Sequence, residues 1–92
     1  MIMNYEDLEG MLVLGEGGRE VGLVTEIAVD VEDWRLVALE VKVNKDVLEE
    51  MGMKRPVFGT RTVRVPISQI ARIADVILLK TELPDVEFEE KD

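Results

Sequence analysis

The chain of 92 residues contains no cysteine and no histidine. Without cysteine there are no disulfides and no thiolate metal sites, and a reducing compartment is the natural expectation. Without histidine the commonest general base and the commonest transition-metal ligand are missing. Most classes of enzyme lose their ground here, and no catalytic residue, metal site or cofactor is expected. No apolar run reaches the roughly 20 residues that span a bilayer. The opening Met-Ile-Met-Asn-Tyr-Glu-Asp has neither the basic nor the apolar region of a signal peptide. A cytoplasmic protein is the expectation. Amide side chains are scarce as well, with one glutamine (Gln69) and asparagine only at 4 and 44, a composition that leans toward a thermophile.

The formal charge is -9, and it is unevenly spread. Residues 1–9 carry three acids and no base. Residues 81–92 carry six acids against Lys91. Between them, eleven acids face ten bases, so the body is close to neutral. These shifts divide the chain into an acidic lead-in (1–9), one domain (10–80) and an acidic tail (81–92). A chain of this size buries only about 60–65% of the surface it exposes when unfolded, which leaves room for a partner to add stability.

The clearest periodicity lies at Glu20–Val31. Val21, Leu23, Thr25, Ile27, Val29 and Val31 alternate with Glu20, Gly22, Val24, Glu26, Ala28 and Asp30, the period of a half-buried strand. The first set is assigned to the core, so Val29→Asp is expected to unfold the domain. Met11–Leu14 reads as a preceding strand and Gly15-Glu-Gly-Gly18 as its hairpin turn. Those glycines are followed by a strand, whereas a phosphate cradle opens a helix. Trp34–Val43 forms a third strand, with Val37, Leu39, Val41 and Val43 opposing Leu36, Ala38, Glu40 and Lys42. The acids Glu26, Asp30, Glu32, Asp33 and Glu40 have no calcium-loop spacing and read as a solvated face.

Asn44 caps a short helix over Lys45–Met51, which ends at Gly52. A loop over Lys54–Gly59 leads to a strand at Arg61–Val65, with Val63 and Val65 inward. Pro66–Ile70 reads as one helical turn, followed by short strands at Ala71–Ile73 and Val76–Leu79. The fold expected from this order is all-β: a small antiparallel β-barrel of five to six strands with one short helix inserted between strands 3 and 4.

Three features suggest binding. Trp34 follows a polar turn, where it either packs on a barrel rim or anchors an interface. Met51, Met53, Val57 and Phe58 either plug one end of the barrel or form a patch that a partner covers. Lys54, Arg55, Arg61, Arg64 and Arg72 lie in a stretch without acids. That sector is open to three readings: a solvated face, a dock for an acidic protein segment (the tail over Glu87–Asp92 included), or a nucleic-acid contact. The overall negative charge and the single aromatic nearby disfavour nucleic acid.

Glu20-Val21-Gly22 with Asp30, and then Val65-Pro66 with Asp75-Val76, resemble the PRC-barrel family. Ala74 stands where that family usually has glycine. The segment Asp46–Gly59 is similar to the insert of small stand-alone archaeal members. The resemblance implies a non-catalytic adaptor, associated in archaea with cell division and the protein that anchors the division ring to the membrane. It also implies a homodimer, or a heterodimer with a paralogue, and a long edge strand is the expected seam. The other reading from the same family is an RNA-processing or ribosome-maturation accessory factor. Among the residues, Trp34, Met51, Met53, Lys54, Arg55, Val57, Phe58, Arg61 and Arg64 are the expected partner-binding set.

Overall fold

The computed structural model describes residues 2–52, 61–82, 86 and 88–90. Helix α1 (Tyr5–Leu8) comes first. The strands are β1 (Leu12–Leu14), β2 (Glu20–Asp30), β3 (Arg35–Val43), β4 (Arg61–Pro66), β5 (Ile70–Ile73), β6 (Ile77–Leu79) and β7 (Glu89–Glu90). Helix α2 (Lys45–Glu50) lies between β3 and β4, and a 3-10 turn (Ile67–Gln69) links β4 to β5. All seven strands join one curled sheet in the order β5-β6-β1-β2-β3-β4-β7. The small β fold with one helix between the third and fourth strands is therefore the observed one. One pairing is not antiparallel: β1 runs parallel to β6, with Val13 beside Ile77.

The core is built almost wholly from aliphatic side chains. Val13, Val21, Val24, Leu39, Val41, Val63, Val65, Ile77 and Leu79 are buried along the strands, and Val47 and Leu48 close them from α2. Each fully buried side chain of this kind contributes about 1.5–3 kcal/mol. The helix ends where Gly52 adopts φ 69°, the left-handed conformation that a C-terminal glycine accepts without a Cβ clash. Leu8 is buried and docks α1 onto the body, while Tyr5 is about half exposed. The Tyr5 phenol titrates above its ordinary value, chiefly through a hydrogen bond with Glu9, with desolvation and the Glu9 and Glu26 charges adding to it.

The inward face of β2 is not the one that strict alternation assigns. Val21 and Val24 are both buried, Leu23 is exposed, and Val29 and Val31 are 47% and 65% exposed. The cause is a series of β-bulges, each adding one unpaired residue and shifting the register. Against β1, Gly22 faces Val13 but Glu20 faces Leu14, so Val21 is extra. Against β3, Val24 faces Val41 and Glu26 faces Glu40, so Thr25 is extra, and its hydroxyl donates to the Glu40 carbonyl at 3.2 Å. Farther along, Ala28 faces Ala38 and Val29 faces Leu36, so Val37 is extra on β3 and is also exposed. The expectation that Val29 is a core residue is corrected accordingly. The expected seam along a long edge strand is corrected as well. The two longest strands, β2 and β3, are interior to the sheet, and its edges are the short β5 and β7.

Gly22 sits where β2 and β3 approach too closely for a side chain. A Cβ there would lie 2.0 Å from the Lys42 carbonyl oxygen and 3.1 Å from Val41 Cγ1. No side chain fits that gap.

Candidate functional site

The β2–β3 hairpin places Trp34 at one end of the sheet. Asp30 and Arg35 face each other as the last pair of the hairpin. The Asp30 carboxylate caps the connecting loop, accepting from the Glu32 amide at 2.9 Å and from the Asp33 amide at 3.4 Å, the usual way aspartate closes a turn. Trp34 follows with φ 54°, the only described residue other than glycine in the left-handed region. A bulky residue there is an outlier that the fold does not need, since asparagine or glycine would occupy it at less cost. The residue is 80% exposed. Of the two readings left open for Trp34, the packed rim is excluded: the ring lies in solvent.

Val31, Val29 and Val37 are exposed at the same end of the hairpin. Beside them runs an open groove of about 490 Å³, lined by Arg35, Leu36, Val37, Pro66, Ile67 and Ser68. Its floor comes from β3 and from the turn that follows β4, where Ala38 pairs with Pro66. The arrangement offers apolar surface and backbone edges with one guanidinium at the rim. It suits the side chains of a protein partner better than bond-making chemistry.

The other expected partner-binding residues lie elsewhere. Arg61 pairs with Val43 and Arg64 with Glu40 on β4. Since β3 rises about 3.4 Å per residue, Arg61 lies roughly 27 Å along the sheet from the Trp34 end. Met51 follows α2, half-buried and packed on the core. Met53, Lys54, Arg55, Val57 and Phe58 lie outside the described residues. The structure thus separates Trp34 from Arg61 and Met51 instead of gathering them into one surface.

Sequence reasoning missed Glu40. Assigned to a solvated face, its side chain is only 7% exposed, and its Oε2 accepts from Arg64 Nη2 at 3.1 Å. At Ala38–Val41 the strand is buried on both faces. The signal was present in the cross-strand pairing of the one acid of β3 with an arginine of β4, but it becomes visible only once the β3–β4 register is known.

The glycine turn behaves as a hairpin. Its shallow recess of about 270 Å³ is lined by Gly15, Gly17, Arg19 and Glu82. The Glu82 carboxylate stands against Gly17, where it would repel a phosphate. Arg19 pairs with Glu50 and ties the turn to α2, an exposed link worth about 0–1 kcal/mol.

A bulged, curled sheet of this order, with one short helix between its third and fourth strands, defines a small β-barrel domain. The chain belongs to the PRC-barrel domain family, which it matches over residues 1–82. No curated protein matches the chain. Members of this family are generally non-catalytic modules, and among the described residues no helix is long and apolar enough to cross a membrane.

Proposed function

We propose that this PRC-barrel chain is a non-catalytic adaptor that grips protein partners with the Trp34 end of its β2–β3 hairpin. One observation carries the reading: a tryptophan 80% exposed and held at φ 54°. Left-handed backbone costs an ordinary side chain about 1–2 kcal/mol, and an exposed indole recovers little of that in the free protein. Buried in a partner's pocket, a tryptophan is the residue type most enriched among binding hot spots. Val29, Val31 and Val37 supply the surrounding apolar surface, and the adjoining groove receives the partner's side chains.

The finer reading rests on the family resemblance. It makes the protein an archaeal cell-division adaptor in the cytoplasm that acts with the membrane anchor of the division ring and pairs with a second copy or a paralogue. In this scheme residues 10–80 form the interaction body, flanked by the lead-in 1–9 and the tail 81–92. Arg61, Arg64 and the expected residues Met51, Met53, Lys54, Arg55, Val57 and Phe58 form a second set of partner contacts.

The test compares affinity capture with the wild-type chain and with Trp34→Glu from the native host. The reading expects a protein recovered by the wild type and lost with the variant. An unchanged set of captured proteins contradicts it. Retarded migration of labelled ribosomal RNA at low salt, abolished by Arg61→Glu and Arg64→Glu, would favour the RNA-factor reading in its place.

A further inference from the structure

A partner that covers Trp34 also covers the two carboxylates beside it. Glu32 and Asp33 immediately precede Trp34 in the hairpin turn, and both are exposed. Consecutive Cα atoms lie about 3.8 Å apart, so a surface wide enough to bury an indole reaches both acids. Their backbone amides are held by the Asp30 carboxylate, which fixes the turn. Neither side chain makes an ion pair among the described residues. Between residues 30 and 35 three acids meet one base, Arg35, and that base faces Asp30 across the last pair of the hairpin. Glu32 and Asp33 are the charges left over.

We infer that the partner gripped at Trp34 is a basic protein segment, whose apolar side chains cover the indole and Val31 and whose arginines or lysines meet Glu32 and Asp33. The inference rests on the adaptor reading and names the chemistry of its partner. A segment without cations would strip water from two carboxylates and return no pairing, whereas a basic one replaces that water with charge-assisted contacts. The indole face attracts the same groups, since a guanidinium or ammonium within about 6 Å of the ring is held by its π-system. At longer range the chain's charge of -9 draws a basic segment in and repels an acidic one.

The experiment uses the full chain and two labelled peptides, one of three Leu-Arg-Arg-Leu repeats and one of three Leu-Glu-Glu-Leu repeats. Emission from the chain's single tryptophan is a second readout. The arginine peptide is expected to bind at least tenfold more tightly than the glutamate peptide and to shift Trp34 emission to the blue. Glu32→Gln combined with Asp33→Asn, which leaves the Asp30 cap in place, should weaken that binding at least fivefold. Glu16→Gln combined with Glu20→Gln removes the same charge from exposed positions at the opposite end of β2, and should weaken it less than twofold. Equal binding of the two peptides, equal losses in the two double variants, or binding without an emission shift would each overturn the inference. So would a blue shift on raising the protein concentration alone, the mark of a second copy, or on adding phosphatidylglycerol vesicles, the mark of a membrane. A host protein lost with Trp34→Glu but retained by the chain carrying Glu32→Gln and Asp33→Asn would overturn the inference and leave the adaptor reading standing.

Discussion

Arg64 Nη2 donates to Glu40 Oε2 at 3.1 Å across the β3–β4 pair, joining a carboxylate only 7% exposed to a guanidinium that is 40% exposed. The two ends of the bond are therefore unequal. Water reaches the arginine, while the glutamate depends on protein groups. Removing the arginine from a fully buried pair typically costs about 3–5 kcal/mol, and its exposure here reduces that. Arg64→Ala is expected to cost about 1–2 kcal/mol by urea unfolding, with an unchanged m-value. Arg72→Ala, on exposed β5, is expected to stay within about 0.5 kcal/mol.

Gly22 cannot be replaced without moving backbone. Its Cα approaches the Lys42 carbonyl so closely that a methyl group would force β2 and β3 apart. Gly22→Ala should cost more than about 3 kcal/mol, the range of severe backbone disruption, or abolish folding. Gly17→Ala meets only the Glu82 side chain, which can swing away, and it should lie within about 0.5 kcal/mol of wild type. Thermal unfolding followed by circular dichroism separates the two.

Val29 tests the bulges. At 47% exposure its replacement leaves no buried charge, so Val29→Asp should cost about 1 kcal/mol or less. Val24→Asp, three residues past buried Val21 and itself buried, should prevent folding, because an unpaired carboxylate in the core is not tolerated. The opposite ranking would restore the strict alternation.

Trp34 links stability to binding. Asparagine tolerates left-handed backbone better than tryptophan does, so Trp34→Asn should leave stability unchanged or raise it by about 0.5–1 kcal/mol. As the chain's single tryptophan, Trp34 also reports on its own surroundings. Its emission in the free protein should be that of a solvated indole, readily quenched by acrylamide.

Much of the scaffold was legible because its signals are local. The glycine hairpin, the Asn44–Gly52 helix, the inward Val63 and Val65, and Pro66 leading into a tight turn all follow from nearest-neighbour chemistry. The faces of β2 were not legible beyond Val21. Valine occurs at both odd and even positions there, so a one-residue shift leaves the hydrophobic pattern plausible in either register. The same shift hid the exposure of Val29 and Val37. Trp34 itself was found from its place after a polar turn, but its orientation depends on a backbone angle that composition does not encode. Glu40 was lost for the opposite reason: alternation places it outward, and only the cross-strand partner Arg64 explains its burial.

The most direct test of the adaptor reading puts a photo-crosslinking amino acid at position 34 in cells of the native host, with the same group at exposed Glu20 as control. The account predicts a discrete protein adduct from position 34 that is absent from position 20 and disappears when Val31→Asp is added. The same adducts from both positions, or none from position 34, would contradict it.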